Sequence, residues 1–235
     1  MQSYVSEMEE QMEQSVGDIS ALDTYVAVGV GLGVLDDGVD RDPEGPEPFA
    51  SPWFRQGKRF LQIDWLSYVL LSALAVPMDR SSIDAFCAGA DLGDSGELLK
   101  DLLDANLVAM LPADDESPAW SEVTRLKVVS HASGLGQAPN DKEHYLLIAA
   151  GQRAVEPSSV QGGPPVFAKT EAIALGGLDY FLWTTFDGVR SIDECIEATS
   201  TQTGRSGDEI RARVPALLRL LLGNLYAALD AAWER

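Results

Sequence analysis

The sequence predicts an α+β chain in which one small unit occurs twice. Each copy is a small antiparallel sheet with three short helices. Three observations predict it. Apolar stretches of strand length are followed by helical faces of about ten residues. Acidic and Pro/Gly-rich stretches punctuate them. Landmarks in the first part of the chain return in the same order in the second.

The recurrence is built on five matches. Leu66-Ser-Tyr-Val-Leu-Leu-Ser-Ala-Leu74 lies on Leu178-Asp-Tyr-Phe-Leu-Trp-Thr-Thr-Phe186, and Arg59-Phe-Leu-Gln-Ile63 on Glu171-Ala-Ile-Ala-Leu175. Ser82-Ile-Asp84 lies on Ser191-Ile-Asp193, and Asn106-Leu-Val-Ala-Met-Leu111 on Asn224-Leu-Tyr-Ala-Ala-Leu229. Upstream, Tyr25-Val-Ala-Val-Gly29 lies on Tyr145-Leu-Leu-Ile-Ala149. These matches divide the chain into an acidic N-terminal tail or short helix over 1–23, a first module over 24–130 and a second over 131–235.

In the tail, Val5, Met8, Met12 and Val16 hold helical spacing. Tyr25 to Val34 is a strand in which Gly29, Gly31 and Gly33 alternate with Val28, Val30, Leu32 and Val34, so one face is apolar and the other bare. Residues 36–48 form an acidic, proline-rich insertion without regular structure, and further loops are expected at 112–119, 132–142 and 156–165. In the second copy, Tyr145 to Ala149, Pro165 to Lys169 and Glu171 to Leu175 read as strands. Leu178, Phe181, Leu182 and Thr185 mark one helical face, which ends at Asp187-Gly188. Ser191 with Glu194 forms a capping box for a second helix that buries Ile192, Cys195, Ile196 and Thr199. Ser206 opens a third helix with Ile210, Val214, Leu217, Leu218, Leu221 and Leu222 inward, kinked at Pro215. The first copy replaces the Asp-Gly turn with Ala75 to Arg80. Its third helix, Ser95 to Ala105, buries Leu98, Leu99, Leu102 and Leu103. Strands followed by three short helices describe two tandem winged-helix-like modules.

The net charge is −20. Residues 1–144 carry 26 acids against 9 Lys and Arg, and residues 145–235 carry 11 against 8. A polyanion repels phosphate backbones, which argues against nucleic acid as a partner. The two cysteines, Cys87 and Cys195, have no metal-ligand spacing and read as reduced thiols of a cytoplasmic protein. No secretory signal opens the chain and no apolar run has the length of a membrane span.

The second copy resembles the PqqD-like fold. The resemblance rests on the Leu-x-Tyr-x-Leu-Trp helix, Asp187-Gly188, the Ser191-Ile-Asp-Glu-Cys-Ile helix and the Leu-rich helix ending in Gly223-Asn-Leu. That fold is the RiPP recognition element, a winged-helix module from the biosynthesis of ribosomally made, modified peptides. The first copy departs from it at the Asp-Gly turn. The resemblance implies a non-catalytic protein that binds the leader of a precursor peptide and presents it to separate modifying enzymes. It implies that the leader docks as an added strand beside the third strand and against the third helix. On this chain those positions are Ala172, Ile173, Ala174 and Leu175, with Arg211, Arg213, Leu217 and Arg219 on the helix. A second possible groove has Phe60, Leu61, Gln62, Ile63 and Lys100. The physics is that of strand addition, with the arginines placed to hold acidic leader residues.

No cofactor or metal motif occurs, and no enzyme is expected. His131 and His144 are the only histidines, and His131 has no evident acid to orient it. The strictly alternating glycines lack the G-x-G-x-x-G spacing and the following helix of a dinucleotide loop. A nucleotide-binding enzyme is the third reading. The second is a winged-helix transcriptional regulator binding DNA, which needs a basic recognition helix.

Overall fold

The computed structural model describes residues 22–33, 52–138, 141–149 and 172–231. The tail up to residue 21, the loops at 36–48 and 156–165 and the strand expected at 165–169 lie outside them. The described chain is mixed α/β, with several small antiparallel sheets.

The first half runs β1 (Thr24–Ala27), β2 (Val30–Gly33), β3 (Trp53–Gln56), β4 (Arg59–Gln62), α1 (Trp65–Ala73), β5 (Met78–Asp79), α2 (Arg80–Gly89), α3 (Ser95–Asp104) and β6 (Val108–Leu111). A short helix, α4 (Trp120–Val123), follows. The second half runs β7 (Lys127–Ser130), β8 (Ala132–Ala138), β9 (Asp141–Ala149), β10 (Ile173–Gly176), α5 (Gly177–Thr184), β11 (Asp187–Ser191), α6 (Ile192–Thr203), α7 (Gly207–Arg211), α8 (Val214–Gly223) and β12 (Ala227–Asp230). Among the described residues, each half holds two three-stranded antiparallel sheets rather than one. These are β5-β1-β6 with β2-β3-β4, and β11-β7-β12 with β10-β9-β8. Apart from α7, the order of elements and their pairing are the same in both.

The register fixes which residues correspond, and it corrects the alignment. Thr24 pairs with Leu111 and Lys127 with Asp230, so β1 corresponds to β7 and not to the strand at Tyr145. A boundary at 130/131 would part β7 from both of its partners; the second half begins at Lys127. Asp79 and Ser191 are the N-caps of α2 and α6, and they pair with Thr24 and Lys127. The Ser-Ile-Asp match is therefore displaced by three residues. The Asn match is displaced by one. Asn106 and Leu225 are the positive-φ residues (57° each) that close α3 and α8. Both ends are Schellman turns, with Leu107 N–H donating to Leu102 and Tyr226 N–H to Leu221. The matches over 59–63 and 66–74 fall where the elements do. Phe54 of β3 and Leu147 of β9 take the same paired position, and both are buried.

The expected loop at 132–142 is instead β8 and the start of β9. Its glycines explain why. Both β2 and β8 carry Gly-Leu-Gly, at 31–33 and 134–136, and both shift register between the two glycines. The second glycine takes positive φ in each, 72° at Gly33 and 89° at Gly136, as a bulge demands. A Cβ on Gly31 would come within 3.0 Å of the Tyr68 ring, and one on Gly134 within 3.1 Å of the Tyr180 hydroxyl. The bare face is thus the bed for the tyrosine of the following helix. The glycine pattern of the first copy thus returns in β8, not in the strand at Tyr145 aligned with Tyr25.

The first helical turns follow their caps. Asp64 accepts from Ser67 N–H at α1, and the capping box Ser191–Glu194 opens α6. Ile192, Cys195, Ile196 and Thr199 are buried as the spacing predicts. In α3 only Leu99 and Leu102 are buried, and in α5 only Leu182. The third helix of the second half is broken rather than kinked. Pro215 has no N–H to continue the ladder, so α7 stops at Arg211 and α8 restarts at Val214.

The two halves share a layer. Ala27 and Val108 bury in a core with Phe54, Leu70, Leu74, Ile83 and Leu99. Their strand neighbours Val26, Val28 and Leu111 bury in the other core, with Leu182, Ile192, Leu218 and Leu229. Alternation along β1 and β6 sends successive side chains to opposite cores. Val28 also bridges Leu229 in parallel, and Gly29 N–H donates to the Leu229 carbonyl at 2.9 Å.

Candidate functional site

β4 and β10 stand at the ends of their sheets, and among the described residues no strand pairs with their outer edges. In β10, Ile173 and Leu175 are buried while Ala172 and Ala174 are half-buried. The strand points its large side chains into the core and shows small ones outward. In β4, Phe60 is 59% exposed and Gln62 is exposed, with Leu61 and Ile63 half-buried. The next apolar residues, Trp65 and Leu66 in the first turn of α1, are also exposed. The first edge is therefore bulky and apolar, the second bare.

The helix residues named from the sequence do not gather along β10. Leu217 is buried in the core. Arg211 pairs with Asp193 of α6 at 2.7 Å. Arg213 reaches Asp179 in the first turn of α5 at 3.4 Å, three residues beyond the end of β10. Asp179 Oδ1 is buried and accepts no hydrogen bond. Burial raises its pKa above the ordinary carboxylate value, against the pull of Arg213.

Arg219 is placed elsewhere altogether. It is 9% exposed and donates to the carbonyls of Pro112 and Ala113 and to Asp115. Its guanidinium lies 5.4 Å from the ring centre of Trp120. Arg219 thus fastens the segment between the halves onto α8. Lys100, at the corresponding position of α3, is exposed and 3.8 Å from Asp104.

Sequence reasoning missed an aromatic cluster. Tyr145 of β9 stacks on Tyr180 of α5 with ring centres 4.1 Å apart, and Trp183 lies 5.4 Å from Tyr180. Trp183 Nε1 donates to Ser130 Oγ. Its signal was present in the Leu-x-Tyr-x-Leu-Trp helix, where Tyr180 and Trp183 lie off the apolar face Leu178, Phe181, Leu182 and Thr185. A cleft of about 370 Å³ opens between α4 and α7–α8, lined by Asp115, Glu116, Trp120, Thr124, Asp208 and Arg211 among others.

His131 is exposed, and His144 Nδ1 lies 2.6 Å from Asp141 Oδ2 on β9. Cys87 and Cys195 are free and buried. Burial pushes the Cys195 thiol up to about 11, while its Sγ–H donates to the Thr185 carbonyl. Among the described residues no group of three or more His, Cys, Asp or Glu is placed to hold a metal ion, and no helix is long and apolar enough to cross a membrane. No family model, no curated protein and no solved structure matches the chain.

Proposed function

We propose that the chain is a non-catalytic recognition protein. Its two halves act as tandem winged-helix modules of the RiPP-recognition type that bind the leader of a precursor peptide for separate modifying enzymes. One observation carries the reading: each half ends its β-meander in a short strand whose outer edge is unpaired among the described residues. Such an edge offers a row of N–H and C=O groups to an extended peptide. The bare Ala172 and Ala174 admit an approaching backbone, and the exposed Phe60, Trp65 and Leu66 offer apolar contact. The DNA-regulator reading draws less support, since Arg211 and Arg213 are each paired with the chain's own carboxylates.

The test uses synthetic peptides covering the short open reading frames that flank the gene. Each is titrated against the full chain by fluorescence anisotropy, with hydrogen exchange on any complex. The expected result is one peptide bound at about micromolar affinity or tighter, slowing exchange in β4 or β10. Binding of duplex DNA at low salt, with no peptide bound, would reverse the assignment.

A further inference from the structure

Where the halves meet, β7 and β12 carry a buried charged pair of positions. Asp230 is 2% exposed and its ladder partner Lys127 is 3% exposed. The corresponding positions of the first half, Thr24 and Leu111, carry no charge. The duplicated fold therefore does not need charges there.

Asp230 has a job outside its own half. Its Oδ1 accepts from Gly57 N–H at 2.6 Å, and its Oδ2 lies 3.5 Å from Arg55 Nη1. Gly57-Lys58 is the two-residue turn joining β3 to β4, with Gly57 at φ 56°. Arg55 also donates to the Gly57 carbonyl at 3.2 Å, so both backbone polar groups of Gly57 are held. The neighbouring Gln56, itself buried, donates to the Asn106 carbonyl of the first half. The hairpin is thus fastened to its own half by Gln56 and to the other half by Asp230. In the second half, residues 150–172 stand between β9 and β10 in the sequence, where the first half has two.

We infer that Asp230 is a positioning residue through which the second half sets the place of the first half's edge strand, β4. This rests on the reading of β4 as a docking edge, but its structural content stands apart from any ligand. A two-residue hairpin passes the position of its turn directly to the register of the next strand. Releasing the turn loosens β4 and leaves β10 untouched. The two halves then recognise a peptide as one unit, the second aligning the strand that the first presents.

The test is amide hydrogen exchange on the full chain without ligand. Asp230→Asn keeps an acceptor and removes the charge. The double variant Lys127→Thr/Asp230→Leu installs the first half's own pair and leaves no lone buried charge. Exchange over Lys58–Gln62 is expected to rise about tenfold in the double variant and less in Asp230→Asn, with β10 changed by less than about twofold. Unchanged protection of β4 in a folded double variant overturns the inference, as does an equal rise in β4 and β10. If the peptide titration finds no binder but β4 loosens selectively, the docking reading falls and the positioning role of Asp230 stands.

Discussion

The halves place their long connection at different points of the same meander. In the first, residues 34–52 separate β2 from β3, and β3 turns to β4 in two residues. In the second, two residues separate β8 from β9, and residues 150–172 separate β9 from β10. What both keep is what the packing requires: the Gly-Leu-Gly bulge, the tyrosine lying on it, the buried leucines Leu70 and Leu182 and the Schellman exits. What differs lies where the halves touch. Lys127 and Asp230 replace Thr24 and Leu111, and the buried Arg219 stands where Lys100 is exposed. Duplicated packing preserves shape, and the new junction accumulates charge that the single unit never needed.

The strongest way to break this comparison is to truncate the junction cation. Arg219→Ala is expected to cost about 3 kcal/mol in urea unfolding, because it strands the Pro112 and Ala113 carbonyls and uncovers Trp120. Lys100→Ala, the same change in the first half, should stay within about 0.5 kcal/mol. Equal losses would mean that Arg219 is not a tie between the halves.

Gly29→Ala comes next. A Cβ there would lie 2.4 Å from the Arg55 carbonyl oxygen, at φ 130°, and a loss of about 2 kcal/mol or more is expected. Its counterpart Ala132 already carries a Cβ, so Ala132→Gly should cost under about 1 kcal/mol. Gly134→Ala should destabilise by about 1–2 kcal/mol through Tyr180, with a changed near-ultraviolet circular dichroism from the aromatic stack.

Asp179 and Cys195 sharpen the comparison through pH. Burial holds the folded pKa of Asp179 above its unfolded value. Stability from that carboxyl is therefore full below the unfolded pKa and is lost as pH rises through the folded one. Asp179→Asn should flatten that part of the stability profile, whereas Ser67, its counterpart in α1, has no such charge. The Cys195 thiol behaves with the same sign at alkaline pH. Its contribution is present below the unfolded pKa of about 8.5 and fades toward about 11. The folded protein should resist iodoacetamide at pH 8 and react once unfolded in urea. The smallest effect is Leu225→Asn, which gives the α8 exit the residue that α3 already has. Relief of a left-handed leucine should stabilise by about 0.5–1 kcal/mol in thermal melts.

Much of the fold was legible because it is written locally. Caps such as Ser191 and Ser206 and the inward stripe of α6 depend on neighbours within a turn, and so does the interruption at Pro215, expected as a kink and found as a break. The strand order was not legible in the same way. β1 and β9 both hold a tyrosine that leads an apolar run, and only ladder partners tell them apart. The Gly-Leu-Gly of β8 sits in a polar stretch, so composition hid a strand that is specified by its bulge. For the candidate edges, Ala172 and Ala174 were readable as small residues on an alternating strand. Arg219 was not readable as a tie, because its partners Pro112, Ala113 and Asp115 lie more than a hundred residues away. Asp230 gave no local signal either, since its partner is a backbone N–H in the other half.

The layer formed by β5, β1 and β6 has a mechanical consequence. Alternate side chains of β1 and β6 bury in opposite cores, so neither core can open without stripping those strands. Pulled between Leu22 and Ala231 in an optical trap, the chain should give way in a single rupture. Two halves built on one repeated plan would then unfold as a single body.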